Sequence, residues 1–565
     1  MSRYRWQVFP PISAALSAGH PEISPLLLQL LHNRGITDPA RYQDFLGGNE
    51  GLVGDPFLIP DMAQAVGRVY RALLSGENIA IYGDFDTDGV TATVLLVQGL
   101  SRFGANVVPY IPHRTEEGYG LNKPALDRLR RDGISLVISA DCGITAVPEV
   151  AHARRIGLDV IVTDHHSVTT ALPKAEAVVN PKRPDSTYPF RELSGVGVAF
   201  KLLQALSMAL GRDAKMTAEF LDLVALGTVA DMSPLVGENR YLVKEGLQVL
   251  NRTNRLGLQE MALQAGLKPG SLDAESISFV LAPRLNTAGR LDHAISSYRL
   301  LVTEKAEEAR QLAGLLQQKN VERQQLTADT LVKAKERLSK TDTGQPLLMV
   351  GADDYPAGII GLVASRLVDE FCRPVMVIRL GPEMCRGSAR SIPQFNMVAA
   401  LTECSDLLTQ FGGHSQAAGF TLPSANVERF YDRLLTIASR ELAGIEFRRV
   451  LPIDASVGLS SMEGDTLKLL NTMAPFGQGN PAPTFVSRRV KLLDWRKVGN
   501  NGPHLKLRLS QDKTVWPCIA FQMGGMANQL SPYLDIVYNL EMDDWGNTPT
   551  LRLNLLDFAP SEPAG

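Results

Sequence analysis

The chain predicts an α/β protein: a parallel sheet with crossover helices, a long connecting helix, a smaller α/β domain and a C-terminal β-barrel. Three observations carry this. From about residue 76 to 185, short apolar runs alternate with helical patterns, as βαβ units require. Residues 303–338 are charged and proline-free, with apolar residues at helical spacing. Roughly the last hundred residues hold short strand-like runs punctuated by Gly, Asn, Asp and Pro, the spacing of a small barrel.

Residues 1–75 read as a helical lead-in, with PEISPLLLQLLHNRGI in helical spacing and Gly35 at its end. In the region 76–265, NIAIYGD, NVVPYIPH, LVISAD, VIVTD and AVVN read as strands. GVTATVLLVQGLSRFG, PALDRLRRDG and TAVPEVAHARRIG read as helices between them. Residues 266–342 read as a helical connector. In 343–445, the strands PLLMVG and PVMVIRL flank the helix GIIGLVASRLVDEF. The region 446–560 supplies the barrel strands VKLLDW, HLKLRL, WPCIAF, DIVYNL and LRLNLLDF.

With 565 residues, 45% apolar and 21% charged, the chain predicts several soluble domains. A net charge of −3 means that any nucleic-acid surface is local. Five scattered cysteines without a CxxC argue against a disulfide framework and a structural zinc, and suit a reducing cytoplasm. No apolar run approaches a membrane span, and MSRYRWQVFPPI lacks the features of a signal peptide.

The most informative residues are four segments at the ends of apolar runs: Asp84, Asp86 and Asp88; Asp141; Asp164-His165-His166; and Asp231. In an open parallel sheet, functional groups gather beyond the carboxyl ends of the strands. Carboxylates crowded there need pairing or a metal. An EF-hand reading of D-x-D-x-D-G fails, because the twelfth position from Asp84 is Leu95, where a bidentate Glu is needed. Oxygen-rich ligation with imidazole and no thiolate favours Mn²⁺ or Mg²⁺. Two such ions would activate water for in-line displacement at phosphorus. Taken alone, Asp231 is as well explained as a helix cap, and Cys142 as a packing residue.

YGDFDTDG, SADCG, TDHH and GTVADMSPL, in this order, resemble the four motifs of the DHH phosphoesterase superfamily. GSARSIPQFNMVAAL and FGGHSQAAGF resemble its companion DHHA1 domain. APRLNTAGRLDHA and PFGQGNPAPTF narrow the likeness to the RecJ family of single-strand-specific 5′→3′ DNA exonucleases. The resemblance implies a DHH catalytic domain, a DHHA1 domain and an OB-fold barrel. It implies metal ligation by Asp86, Asp88, Asp141, His165 and Asp231. His166 would contact phosphate or leaving group, and Asp164 would orient its neighbours. Asp84 is assigned to the catalytic set, although some relatives use a histidine just upstream, where this chain has Tyr82. Arg114, Ser388 and Arg390 would capture a 5′ phosphate, Arg being suited by its planar fork. Arg284, Asn286 and Arg290 would line the DNA path or support the site. His414, with Gly412 and Gly413, would reach the scissile phosphate.

In the barrel region, Arg488, Arg489, Lys491, Arg496, Lys497, Lys506, Arg508 and Lys513 face only Asp494 and Asp512, with Trp495, Trp516 and Trp545 nearby. Basic grooves with aromatic platforms hold single strands, so Arg488, Arg489, Lys497, Lys506 and Arg508 are the candidate DNA contacts. The tryptophans are equally well read as barrel core.

The expectation is therefore an exonuclease of single-stranded DNA in repair and recombination, a cytoplasmic monomer without a membrane partner. By resemblance, it works with single-strand-binding protein and a helicase. The alternative enzyme is a DHH/DHHA1 phosphodiesterase of short oligoribonucleotides or cyclic dinucleotides, or a related pyrophosphatase, but such relatives generally lack a barrel. A metal-free replication scaffold is the non-enzymatic alternative, and the filled acidic positions argue against it.

Overall fold

The computed structural model describes residues 3–48, 50–114, 116–168, 171–213, 215–340, 344–543 and 549–561. The chain divides into two compact units. One comprises residues 1–289, 293–314 and 450–565, and the other residues 290–292 and 315–449.

The first unit begins with a strand, β1 (Arg5–Val8). Its main sheet holds β2 (Asn78–Gly83), β3 (Asn106–Tyr110), β4 (Leu136–Ala140), β5 (Asp159–Thr163) and β6 (Ala177–Val179). All pairings are parallel, in the order β3-β2-β4-β5-β6. The five strand-like runs between 76 and 185 are these five strands. Because β3 and β4 flank β2 on opposite sides, their connections diverge at the ends of β2 and β4, where such sheets bind ligands. The strands β2, β4 and β5 are buried almost throughout, as expected for a sheet covered on both faces. Helices Lys123–Arg131 and Val147–Arg155 cover one face through Leu126, Leu129, Val150 and Ala153. Helices Thr87–Arg102, Gly195–Ala209 and Leu221–Ala230 pack together nearby. The last of these is apolar and buried along its length, the pattern of a core helix.

In the second unit, β7 (Leu348–Ala352), β8 (Val375–Arg379), β9 (Met384–Arg390), β10 (Gln410–His414) and β11 (Ala417–Pro423) form a mixed sheet in the order β10-β11-β9-β8-β7. Strands β9, β10 and β11 were not evident from apolar patterning. At two positions close packing excludes a side chain: a Cβ on Gly387 would run into the Phe420 ring, and one on Gly413 into the backbone of Ala417 and Ala418.

The C-terminal strands are β12 (Val450–Ile453), β13 (Ala455–Ser456), β14 (Phe485–Val498), β15 (His504–Gln511), β16 (Thr514–Ala520), β17 (Tyr533–Asp543) and β18 (Thr550–Pro560). Pairing of β14 with both β15 and β17 closes β14-β15-β16-β18-β17 into a ring, with β13 beside β14. This is the expected barrel.

The N-terminal residues differ from a purely helical lead-in. β1 pairs in parallel with β12, and the Trp6 indole donates to Asp557 at 2.8 Å. Leu27, Leu28, Leu30, Leu31, Tyr42 and Phe45 belong to the apolar core of the barrel. The later turn Pro56–Leu58 and helix Met62–Ser75 pack on the parallel-sheet region, both against the helix Gly195–Ala209 and the second also against β6. Sequence periodicity reports a helix's apolar face but not which distant strands will cover it. The buried guanidinium of Arg240 joins these regions, donating to the carbonyls of Phe45 (2.9 Å), Met473 (2.9 Å) and Ala474 (2.8 Å).

Candidate active site

The acidic and imidazole side chains converge at the switch point of the first sheet. Asp84 follows β2, Asp141 follows β4, and Asp164, His165 and His166 follow β5. Asp231 caps the end of the helix Leu221–Ala230. Three sets have ligand atoms mutually within 4.8 Å: Asp84, Asp86 and Asp141; Asp88, His165 and Asp231; and Asp141, His165 and His166.

Local chemistry fixes each side chain. Asp86 is the N-cap of Thr87–Arg102, its Oδ1 accepting from the amides of Asp88 (3.0 Å) and Gly89 (3.1 Å). Asp88 accepts from the Gly195 (2.7 Å) and Val196 (2.8 Å) amides at the start of Gly195–Ala209, where the helix dipole favours an anion. Asp164 accepts from the His165 amide (2.7 Å), the His166 amide (3.0 Å), His166 Nδ1 (2.8 Å) and the Ile144 amide (2.8 Å). It is thus occupied in orienting the histidine pair. Asp231 Oδ2 accepts from Ser233 Oγ at 2.6 Å.

Other atoms are left over. Asp84 Oδ1, Asp141 Oδ1 and both ring nitrogens of His165 are buried without hydrogen-bond partners among the described residues. His165 Nε2 stands 3.1 Å from Asp141 Oδ1 and 3.9 Å from Asp88 Oδ2, out of hydrogen-bond geometry. Buried polar atoms are rarely left unsatisfied. A set of oxygens and imidazole nitrogens converging in this way fits divalent cations such as Mn²⁺ or Mg²⁺.

The electrostatics agree. Burial first, then mutual repulsion, raises the carboxyl pKa values of Asp84, Asp86, Asp88 and Asp141. Burial lowers His165 to about 4, so its ring is neutral and available as a ligand. Burial also opposes charge on His166 and Asp164, but their mutual hydrogen bond and attraction outweigh it. They hold His166 up at about 9 and Asp164 down at about 2.

Asp141 sits at φ 64°, the left-handed conformation that an L side chain adopts at a cost of about 1–2 kcal/mol. Such strain is concentrated at functional sites. Gly195 packs directly beneath it, and an added Cβ there would lie 2.5 Å from the Asp141 carboxylate. Gly195→Ala is therefore expected to displace Asp141 and lower hydrolysis roughly 10- to 100-fold, by misplacement of about an ångström. The circular-dichroism spectrum should stay native. Wild-type rates in a folded variant would contradict this reading.

Other assigned residues distribute as follows. Arg114 lies over the ring of Phe85, 4.8 Å from its centroid, beside the first motif. Asn286 Oδ1 accepts from the Thr87 amide (2.8 Å) and hydroxyl (2.9 Å), bracing that motif. Arg284 donates to the Val280 carbonyl at 2.6 Å. Both lie on the helix Ala282–Leu291. Arg290, Ser388, Arg390, Gly412, Gly413 and His414 belong to the second unit. There Arg390 donates to Ser388 Oγ at 3.0 Å. A Cβ on Gly361, at the start of the helix Ile360–Phe371, would be 3.0 Å from both Ser388 Oγ and Arg390 Nη2. Gly412, Gly413 and His414 are exposed on β10.

On the barrel, Lys506 and Arg508 alternate with buried Leu505, Leu507 and Leu509, so they point outward. Arg496 is directly opposite Lys506. Lys497 is exposed but faces Leu505 across the pair, on the other side of β14. Arg488 pairs with Asp535 at 2.7 Å, and the Arg489 amide donates to the same carboxylate at 2.9 Å. Trp495 is half-exposed, whereas Trp516 is buried and donates to the Leu459 carbonyl at 3.1 Å. Trp545 lies outside the described residues.

Sequence reading missed three contributors. Tyr119 places its hydroxyl 3.3 Å from the Asp141 carbonyl and 3.4 Å from His166 Nδ1. Its signal is the flanking pair Gly118 and Gly120, both at positive φ. Ser194 and Thr228 share a 2.8 Å hydrogen bond behind the Asp88-binding amides.

Comparisons with known proteins agree with this arrangement. Residues 78–228 match the DHH family, N-terminal domain; 344–440 match the DHHA1 domain; and 453–557 match the RecJ OB domain. The chain is 38% identical to the single-stranded-DNA-specific exonuclease RecJ of Bacillus subtilis, over 99% of this chain and 71% of that one. It is 32% identical to the Salmonella typhimurium RecJ, over 95% of this chain and 96% of that one. The crystal structure of Thermus thermophilus RecJ in complex with Mn²⁺ matches with a TM-score of 0.85 at 30% identity, covering 99% of this chain and 80% of that one. A Mg²⁺ complex of the same protein matches with a TM-score of 0.80. The chain belongs to the RecJ family.

Proposed function

We propose that this chain hydrolyses single-stranded DNA from the 5′ end to mononucleotides, using two divalent cations, Mn²⁺ or Mg²⁺. The observation that carries the reading is the cluster of Asp84, Asp86, Asp88, Asp141, His165 and Asp231, in which an oxygen each of Asp84 and Asp141 and both His165 ring nitrogens have no hydrogen-bond partner among the described residues. Cations of this kind, when bound, neutralise charge at a phosphodiester and acidify a neighbouring water. Asp141 and His165 each belong to two of the three ligand sets, and of the two a carboxylate, with two oxygens, is the one able to serve two cations. Asp88 and Asp86 are held by helix amides, so they present their remaining lone pairs without rearrangement. His166, protonated at neutral pH and partly exposed, is suited to donate to a phosphate oxygen or leaving group.

Arg114, with Ser388 and Arg390, is proposed to take the 5′ phosphate, and His414 with its glycines the scissile phosphate. Arg284 and Arg290 would line the strand's path. Lys506 and Arg508, with Arg496 and Lys497, are the barrel's candidate grip. Arg496, Lys497, Lys506 and Arg508 make no ion pair among the described residues. Arg488 is the weaker candidate because Asp535 already neutralises it. No helix among the described residues is long and apolar enough to cross a membrane. Cytoplasmic work as a monomer, beside single-strand-binding protein and a helicase, is proposed from the family alone.

The test is digestion of end-labelled DNA with and without Mn²⁺, comparing 5′-phosphorylated single strands with blunt duplex. We expect label at the 5′ end to leave first as a mononucleotide, only from single strands and only with metal. Release from the 3′ end, or equal digestion of duplex, would overturn the assignment.

A further inference from the structure

Asp88 and Asp231 belong to one ligand set, with His165, yet they come from different helices. Asp88 lies in the first turn of Thr87–Arg102, and Asp231 at the C-terminal end of Leu221–Ala230. Each carboxylate has its own holder. The Gly195 and Val196 amides hold Asp88 at 2.7 and 2.8 Å, and Ser233 Oγ holds Asp231 at 2.6 Å. Two residues outside the ligand sets tie these holders together: Ser194 and Thr228, both fully buried.

Ser194 is the N-cap of Gly195–Ala209, accepting from the Gly197 amide at 3.2 Å. It directly precedes the amides that hold Asp88. Thr228 Oγ1 lies 2.8 Å from Ser194 Oγ. The Thr228 carbonyl accepts from the Ser233 amide at 3.2 Å, while the Met232 amide donates to the Val229 carbonyl at 3.2 Å. Met232 turns the chain at φ 61°, which makes this a Schellman ending of the helix. Thr228 therefore grips both holders. Its hydroxyl reaches the helix start that binds Asp88, and its carbonyl fixes Ser233, which binds Asp231.

A threonine inside a helix commonly turns its hydroxyl back to the carbonyl four residues earlier. Thr91, Thr93 and Thr287 do so, at 2.8, 2.7 and 2.6 Å. Thr228 bonds across to another helix instead. The helices also touch at the level of the ligand. A Cβ on Gly227 would lie 2.4 Å from Thr91 Oγ1, 2.7 Å from Val196 Cγ1 and 2.8 Å from Asp88 Oδ1. A small slip of one helix against the other would thus change the spacing of the two carboxylates.

We infer that Thr228, acting through Ser194, is a positioning residue that sets the separation of Asp88 and Asp231, and with it the affinity for the cation they share with His165. The inference rests on the divalent-cation reading above. Groups that orient metal ligands are worth roughly 10- to 100-fold in affinity.

The test titrates the full-length, metal-free protein with Mn²⁺ and follows the free ion by electron paramagnetic resonance. Thr228→Val keeps the shape and loses the hydroxyl. It should bind one Mn²⁺ roughly 10- to 100-fold more weakly than the wild type, with a native circular-dichroism spectrum in EDTA. Thr228→Ser should keep wild-type affinity. Hydrolysis by Thr228→Val should need correspondingly more Mn²⁺, with kcat recovered at high Mn²⁺ and KM for DNA unchanged. Should Thr228→Val not fold, Ser194→Ala carries the same expectation of weaker Mn²⁺ binding. Folded variants that bind Mn²⁺ as the wild type does overturn the inference and leave the metal site standing. So does a Thr228→Ser variant as weak as Thr228→Val, or a loss of kcat that added Mn²⁺ does not cure. A wild type that takes up no Mn²⁺ overturns the cation reading and this inference with it.

Discussion

Asp141→Asn is expected to reduce hydrolysis of single-stranded DNA roughly a thousandfold or more, a loss of about 4 kcal/mol or more of the charge stabilisation that a metal site supplies. The same change should make the metal-free protein more stable. Asp141 is buried against Asp84, Asp86 and Asp88, and burial with that repulsion raises its pKa in the folded state. The native protein therefore holds a proton that the unfolded chain has released. Stability falls as pH rises above the ordinary carboxyl range, and the full cost is reached above the folded-state pKa. An amide removes that cost at neutral pH. Mn²⁺ should reverse the order, raising the wild-type melting temperature much more than that of the variant, because a ligand binding only the native state stabilises it. Melting curves in EDTA and in Mn²⁺ decide this. A variant that melts lower than wild type in EDTA, or that keeps its activity, would contradict it.

Lys201→Met should be among the most destabilising single changes away from the metal ligands, at about 3–5 kcal/mol. Lys201 and Glu238 form an ion pair with both side chains fully buried. Lys201 also donates to the Gly54 carbonyl at 3.0 Å, and the Tyr188 hydroxyl donates to Glu238 at 2.5 Å. Removing the ammonium leaves a carboxylate in the core with one neutral donor. The double change Lys201→Met with Glu238→Leu should recover much of the loss, since an apolar pair of similar volume removes both desolvation penalties. Urea unfolding midpoints measure both. Equal destabilisation by the single and double changes would show that packing, and not charge, dominates there. The helix carrying Lys201 begins with the amides that hold Asp88, so activity should decline along with stability.

How far the sequence reaches is clear from particular residues. The strands β2, β4 and β5 announce themselves because a buried parallel sheet demands continuous apolar runs, and Asp84, Asp141 and Asp164 stand at their ends. The convergence of these residues with Asp231 is legible only because strand ends share an edge and because the motifs are familiar. Asp231 alone looks like a helix N-cap, but it stands at the C-terminal end of Leu221–Ala230, its carboxylate accepting from Ser233. β9, β10 and β11 escape notice because their Gly, Ala and polar residues leave no run of large apolar side chains, with close packing excluding a side chain at Gly387 and Gly413. Gly195 escapes for a related reason: its importance is the absence of a Cβ beside Asp141, which no local pattern encodes. Of the tryptophans, Trp516 is core and Trp495 half-exposed, a distinction set by barrel register and invisible in composition.

The parallel pairing of β1 with β12 bears on how the molecule is made. Residues 5–8 are synthesised early, yet their hydrogen-bonding partners, residues 450–453, emerge only after some 440 further residues. At about 5–20 residues per second this is a wait of roughly 20–90 s. Through that interval Leu27, Leu28, Leu30 and Leu31 lack the barrel that buries them, so this apolar face stays uncovered by its final partner. The β1–β12 pair can therefore close only when two segments far apart in the chain have both been made.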